Sequence, residues 1–306
     1  MAVTVIINPI AGGARPETAR QRAELAHAAV SAHGDVPEVF VTERAGHARE
    51  LAEAAVARDV RLVLAWGGDG TINEIARVLA FKEVPLGIVP SGSGNGLARE
   101  LGIDRRPDRA IAAALRAEPR PMDAGEMGGR LFFNIAGIGF DAHVAALFDD
   151  PSNQTRGLRK YVGISARALW SYEPGVYVIT TPAGRRETRA VLVTVANSAQ
   201  FGNNARIAPG AEVDDGMLDL VVLAETARWR TVLQAPRLFT GTVARIPGCT
   251  MERVDRATIA SARPMTFHVD GEPVRGGTEL SVRVHPGALL IAVGQKATRA
   301  ARPTPS

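Results

Sequence analysis

Asp69 is a carboxylate set among glycines, in the run Gly67-Gly68-Asp69-Gly70-Thr71. Glycines let the backbone come close to an anion, and free N–H groups at a helix start point towards it. A carboxylate repels phosphate, so Asp69 at such a turn implies a third species: a metal ion, a hydroxyl proton or a ribose. The plain alternative is an aspartate capping an ordinary strand-to-helix turn. Two further runs carry glycines in the same manner, Asn8-Pro9-Ile10-Ala11-Gly12-Gly13 and Ser91-Gly92-Ser93-Gly94-Asn95-Gly96. Neither is a G-x-G-x-x-G dinucleotide fingerprint, and the G-x-x-x-x-G-K-[ST] phosphate loop is absent. Taken singly each is weak, and Asn8-Pro9 alone also reads as a mere turn breaker.

The elements that must position these runs are legible around them. Residues 62–66 form a short apolar run bounded by glycine, the pattern of a buried strand. After it Ile72, Ile75, Ala76, Leu79 and Ala80 recur at helical spacing. Residues 3–7, 36–41 and 86–89 also read as strands. Ala19, Ala23, Ala26 and Val30 mark one helix, Ala48, Leu51, Ala52, Ala55 and Val56 a second, and a third follows Gly96 through Leu101. Alternating strands and helices predict a doubly wound α/β nucleotide-binding domain with a mostly parallel sheet. Ligands in such sheets sit beyond the carboxyl ends of the strands. All three glycine runs follow strands, so all three are expected on that edge.

Beyond Pro119-Arg120-Pro121 the pattern changes. Residues 131–136, 176–180, 191–196, 218–223, 257–262, 266–269 and 280–284 read as strands separated by turns, which predicts a C-terminal antiparallel β-sandwich domain. Two arginine-rich helical stretches, 158–170 and 228–240, interrupt it. Domains are expected at 1–121 and 122–286, with a tail, 297–306, that reads as disordered.

Bulk properties narrow the partners. With 306 residues, 46% hydrophobic content and one cysteine, Cys249, the chain reads as a globular protein of a reducing compartment. No basic and apolar leader precedes the first strand, and no apolar run approaches the ~18–20 residues needed to cross a bilayer. A cytoplasmic protein is the expectation. The net charge of +4 suits nucleotide, anionic lipid or nucleic acid without choosing among them. Aromatic content of 5% and dispersed basic residues argue against nucleic acid. Oligomeric state is left open, a homodimer included.

Together, N-P-I-A-G-G, G-G-D-G-T-I-N-E and P-S-G-S-G-N-G-L-A-R at these separations resemble the diacylglycerol kinase catalytic-domain superfamily. That superfamily holds bacterial soluble lipid kinases, sphingosine kinases and ceramide kinases. G-G-D-G-T alone is less specific, because NAD kinases and phosphofructokinases carry a similar loop. The resemblance implies an ATP-dependent lipid kinase. Its nucleotide site would use Asn8, Pro9, Gly12, Gly13, Arg15, Thr42, Gly67, Gly68, Gly70, Thr71, Asn73, Glu74, Gly92, Ser93 and Asn95. Arg15 stands where relatives often carry lysine. The resemblance also implies that a last strand, 287–295, returns to the first domain.

In the second half Asn134-Ile135-Ala136-Gly137-Ile138-Gly139-Phe140-Asp141 is similar to the N-x-x-G-x-G-F-D segment of the lipid kinases. It reads equally as substrate contact or as a strand ending in a tight turn. Glu212-Val213-Asp214-Asp215-Gly216-Met217-Leu218-Asp219 matches the D-D-G-x-L-D element, which implies a structural Mg²⁺ held by the Asp215 side chain and by main-chain oxygens of Glu212 and Met217. Hard oxygen donors suit that ion, and a β-turn before a strand is the alternative. Asp270-Gly271-Glu272 is a hairpin tip by pattern; the resemblance implies Glu272 as base for the acceptor hydroxyl, with Asp69 at the magnesium. In sphingosine kinases the aspartate of the glycine turn is itself the base, so the two roles exchange. His268 reads as a packed neighbour. A lipid hydroxyl acceptor implies peripheral contact with a membrane surface, with Arg156, Arg159, Lys160 and Arg167 as candidate headgroup contacts or simply a solvated helix face. Diacylglycerol-like acceptors stand ahead of sphingoid bases, although Gly92-Ser93-Gly94-Asn95-Gly96 is closer to the sphingoid-base kinases. NAD kinase and a non-catalytic nucleotide-binding regulator are the readings from other classes.

Overall fold

The structure is a computed structural model that describes residues 1–13, 16–149, 158–202 and 205–294. Arg15, Arg156 and the tail 297–306 lie outside the described residues. The chain divides into two compact units, Met1–Gly92 with Ala98–Arg120 and the segment from Leu290, and Ser93–Leu97 with Pro121–Leu289.

In the first unit β1 (Ala2–Ile7), α1 (Pro16–Ala32), β2 (Val36–Val41), α2 (His47–Ala57), β3 (Leu62–Gly67), α3 (Asp69–Leu79) and β4 (Leu86–Pro90) alternate as the sequence predicts. The strands are parallel in the order β2-β1-β3-β4. Every residue of β3 is buried, as a central parallel strand covered on both faces requires. Val3, Val5, Leu62, Leu64 and Trp66 pack with Ala26 and Val30 of α1. The helix face Ile72, Ile75 and Leu79 of α3 is fully buried, which stabilises by about 1.5–3 kcal/mol per side chain. Next come α4 (Gly96–Glu100) and α5 (Pro107–Arg116), the latter unmarked in the sequence reading. Proline at its first turn starts α5, and Ala110, Ile111, Ala114 and Leu115 bury its inner face.

The second unit is antiparallel. Its elements are β5 (Arg120–Met127), β6 (Arg130–Phe132), β7 (Ile135–Gly139), α6 (Phe140–Asp149), α7 (Leu158–Ser171), β8 (Gly175–Thr181), β9 (Gly184–Ala196), β10 (Gln200–Gly202), β11 (Ala205–Arg206), β12 (Leu218–Ala224), α8 (Arg228–Gln234), α9 (Pro236–Thr240), β13 (Cys249–Val254), β14 (Arg256–Ala260), β15 (Thr266–Val269), β16 (Glu272–Arg275) and β17 (Glu279–Ile291). The strand order is β16-β15-β7-β9-β8-β14-β17, with β12 beside β9 and β13 beside β12. Two apolar layers lie on its strands. One joins Phe132, Ile138, Val193, Leu220, Ile259 and Phe267, and the other joins Ile135, Val221, Val243 and Ile246.

Three expected elements differ. The expected strand 131–136 is broken after Phe132, because the Asp270 carboxylate takes the amides of Phe133, Asn134 and Ile135. The helical stretch 228–240 is two helices, since Pro236 lacks an N–H and crowds the preceding turn. The expected strands 280–284 and 287–295 fall, as far as Ile291, in one strand, β17, which begins in the second unit and ends beside β4 in the first, pairing Ile291 with Leu86. Among the described residues no helix is long and apolar enough to cross a membrane.

Candidate functional site

In the first unit the runs after β1 and β3, and Ser91-Gly92 after β4, follow parallel strands, so pairing puts them at one edge of the sheet. They also interlock. Gly12 is left-handed at φ 73°, and a Cβ there would run into the carbonyl oxygen of Ser91. A Cβ on Gly68 would sit 3.3 Å from Cα of Gly92. The Ser91 N–H donates to the Gly67 carbonyl at 2.9 Å. Glycine at positions 12 and 68 thus permits backbone to lie against backbone.

Asn8 closes the cluster. Its Nδ2 donates to Oγ1 of Thr71 at 2.8 Å, while its Oδ1 accepts the Ile10 N–H at 3.1 Å. The Asn8 carbonyl accepts from Nη1 of Arg22, whose Nη2 donates to the Ala11 carbonyl. Arg22 also lies over the Trp66 ring, and burial pulls its pKa down. The sequence reading missed Arg22. Its only trace was a charged residue beside the alanine stripe of α1.

Gly68 is the N-cap of α3 and offers no side-chain cap, and Asp69 is the first helical residue. Asp69 therefore stands one residue inside the helix, past the N-cap position. The positive end of the helix dipole is at this turn, an environment that favours an anion. Asp69 and Glu74 are half-buried, Gly70 is exposed, and Thr71 and Asn73 are buried. Thr42 is buried just after β2, donating its N–H to the Ile7 carbonyl at 2.8 Å. Ser93 and Asn95 cluster with the second unit; Ser93 is exposed and Asn95 is buried with φ 51°, a conformation asparagine tolerates.

In the second unit Asp270 and Gly271 link β15 to β16, with φ of 51° and 88° as a type I′ hairpin turn needs. The Asp270 carboxylate accepts three backbone N–H groups, each at 2.9 Å, so this aspartate anchors the turn. Glu272 follows it and is exposed.

Asp123 is a second residue that sequence reading missed. It is buried, and its two carboxylate oxygens accept the N–H groups of Gly216 and Gly287 at 2.7 Å each. It thereby ties the acidic loop to β17. In that loop Asp215 Oδ1 accepts the Met217 N–H at 3.0 Å, and Oδ2 pairs with Arg253. Glu212 is exposed. Burial pushes the Asp219 carboxyl up to about 6, opposed by Arg253 and helped by Asp215 and Glu212. Among the described residues no three His, Cys, Asp or Glu side chains converge as a metal site. Asp219 feels the negative charge of Asp215 and Glu212 with Arg253 as the opposing cation, so a hard cation taking one carboxylate and main-chain oxygens would relieve that crowding.

Residues 2–127 match the model of the diacylglycerol kinase catalytic domain, and residues 134–293 match that of the YegS C-terminal NAD kinase beta sandwich-like domain. A probable lipid kinase YegS-like of Chromohalobacter salexigens is 33% identical over 253 residues, covering 80% of this chain and 78% of that protein. A protein of the same description from Pseudomonas aeruginosa strain PAO1 is 32% identical, with 83% of each chain covered. In fold, the chain is similar to the crystal structure of a diacylglycerol kinase from Bacillus anthracis strain Sterne, at TM-score 0.74 and 22% identity, with 96% of this chain and 97% of that one covered. Half the chain on the C-terminal model, and relatives matched over most of both lengths, make the conclusion plain: the chain belongs to the YegS-like lipid kinase family of the diacylglycerol kinase superfamily.

Proposed function

We propose that this lipid kinase transfers the γ-phosphoryl group of ATP to the hydroxyl of a diacylglycerol-like lipid. The observation that carries the nucleotide half is the interlock of Gly12 on Ser91 and Gly68 on Gly92 at the carboxyl edge of parallel strands. Phosphoryl transfer needs positioning and charge neutralisation more than covalent help from the protein. The acceptor oxygen forms a bond to the γ-phosphorus as the bond to the β–γ bridging oxygen breaks, and ADP leaves. Glu272 takes the hydroxyl proton. Backbone N–H groups of the glycine runs and the α3 N-terminus hold the polyphosphate, with Arg15 as a further cation; Arg15 lies outside the described residues.

Magnesium, when bound, would neutralise charge on the polyphosphate, and Asp69 would orient it or its water network. A second, structural ion would be held by Asp215, with Glu212 and Met217 contributing main-chain oxygens. Arg253 would then yield the Oδ2 atom of Asp215 to the ion.

Contact with a membrane surface follows from the acceptor, which resides in a bilayer. Arg156 lies outside the described residues, as do the side chains of Arg159 and Lys160, while Arg167 is exposed. Support comes from exposed apolar side chains in the same unit: Trp170 of α7, Trp229 and Leu233 of α8, and Phe239 of α9. Tryptophan beside arginine suits the headgroup layer. Co-sedimentation with neutral and anionic vesicles tests this contact, and equal binding to both removes its electrostatic part.

The acceptor is tested by supplying ATP with separate pools of diacylglycerol, sphingoid base and NAD. Phosphorylated diacylglycerol in excess supports the proposal. Sphingoid base as the preferred acceptor moves it to the second lipid class, and phosphorylation of NAD with no lipid product overturns it.

A further inference from the structure

Gly137 of β7 pairs with His268 of β15. A Cβ on Gly137 would run into Oδ2 of Asp141 and stand 3.1 Å from Nε2 of His268. The missing side chain is what lets an aspartate of α6 and a histidine of β15 meet across the strand. Both are buried, at 7% and 3% exposure, well below what an aspartate and a histidine usually show.

The contacts run in one line. Asp141 Oδ1 accepts the N–H of Ala142 at 2.8 Å, and Oδ2 accepts the Thr194 hydroxyl at 2.8 Å. The same Oδ2 faces His268 Nε2 at 3.5 Å, a charge–dipole contact longer than a normal hydrogen bond. At the other end of the ring, Nδ1 accepts the N–H of Gly271 at 3.3 Å. A backbone N–H can only donate, so Nδ1 carries the lone pair and the proton sits on Nε2, turned to the carboxylate. Thr194 and Asp141 thereby select the tautomer whose unprotonated nitrogen accepts from Gly271.

Gly271 is the residue before Glu272, at the second left-handed position of the turn. Asp270 is held by three amides and by its own N–H on the Ile135 carbonyl, and Gly271 is held by His268. We propose that His268 is a positioning residue of the phosphoryl transfer: with Asp141 setting its tautomer, it fixes the Gly271 amide and so the direction in which Glu272 leaves the hairpin. This rests on the reading of Glu272 as the base. Small misplacements of a reacting group are costly, about 10²-fold for 1 Å. Loss of the hold on Gly271 is expected to lower kcat by roughly tenfold, within that bound.

Two variants separate the acceptor atom from bulk. His268→Leu removes the acceptor, whereas His268→Asn places an amide oxygen near the position of Nδ1. His268→Leu should lower kcat with the KM for ATP unchanged, and His268→Asn should recover most of it. In a Glu272→Gln background, His268→Leu should cost nothing more, because the group it positions is already gone. Equal losses on both backgrounds overturn the proposal. Amide hydrogen exchange at Gly271 supplies a readout independent of activity: faster in His268→Leu, restored in His268→Asn. Full activity of Glu272→Gln overturns the base assignment instead, and Gly271 exchange then decides alone whether His268 holds the turn. Wild-type exchange in His268→Leu rejects that hold. A His268→Leu chain that fails to fold transfers the comparison to His268→Asn against His268→Gln, whose oxygen lies nearer the Nε2 position. Exchange as slow in His268→Gln as in His268→Asn also overturns the proposal, and faster exchange in His268→Gln supports it.

Discussion

The side-chain amide of Asn8 donates to the hydroxyl of Thr71 at 2.8 Å, joining the turn after β1 to the first turn of α3. The same side chain accepts the Ile10 N–H, so one residue shapes its own turn and fastens it to the neighbouring one. Asn8→Ala loses both bonds, and a net hydrogen bond contributes about 1 kcal/mol. We expect the KM for ATP to rise roughly tenfold, with a small change in melting temperature. A KM equal to that of wild type would remove Asn8 from the nucleotide site.

Asp69 is the first residue of α3 and is half-buried among the glycine turns. Asp69→Ala should lower kcat by more than about 10²-fold and leave the fold intact. Retention of more than about a tenth of wild-type kcat, with normal melting, would falsify the catalytic assignment.

Asp215 is paired with Arg253 on the surface, and with Glu212 it acts on the buried Asp219. If this loop holds a cation, Mg²⁺ should raise the melting temperature of wild type through mass action and leave that of Asp215→Ala unchanged. The variant should also be less active. Superimposable wild-type melting curves in Mg²⁺ and in chelator count directly against the site.

Glu126 of β5 accepts from Nη2 of Arg283 at 2.8 Å and faces Nε2 of His285 at 2.8 Å, both on β17. Burial alone would raise its pKa, but the Arg283 and His285 partners outweigh burial and bring it below the ordinary glutamate value. A depressed folded pKa contributes stability that is fully present above the unfolded value of about 4.3. That contribution fades as pH falls through the folded value. Glu126→Gln should therefore flatten the loss of melting temperature as pH falls below about 4.3. An acid slope identical to that of wild type would exclude this ion-pair cluster as a contributor.

The two halves of the fold were legible to different degrees. Parallel strands buried on both faces leave contiguous apolar runs, and α3 leaves a regular stripe from Ile72 to Leu79, so the first unit could be laid out from periodicity. The hairpin of Asp270 and Gly271 was legible for a local reason too, because a two-residue turn at positive φ has few sequences. By contrast β5 reads R-P-M-D-A-G-E-M and has no strand pattern. It is a strand because β6 and β17 pair with it. The run through Phe133 stops being a strand because a carboxylate 137 residues away takes its amide.

The amino-acid order by itself determined the alternation of strands and helices, the three glycine turns after strands and the change to an antiparallel half. Each of these is written in neighbouring residues, through backbone geometry and short apolar periods. Only the tertiary structure decided what holds those turns. Arg22 reaches the Asn8 carbonyl across 14 residues, Asp123 clamps Gly216 and Gly287 across 93 and 164, and the place for Asp141 beside His268 exists because Gly137 has no side chain. Such contacts depend on which atoms the folded chain brings within about 3 Å. Residues so far apart share no period, and a polar group buried with its partner looks, in sequence, like any other polar residue.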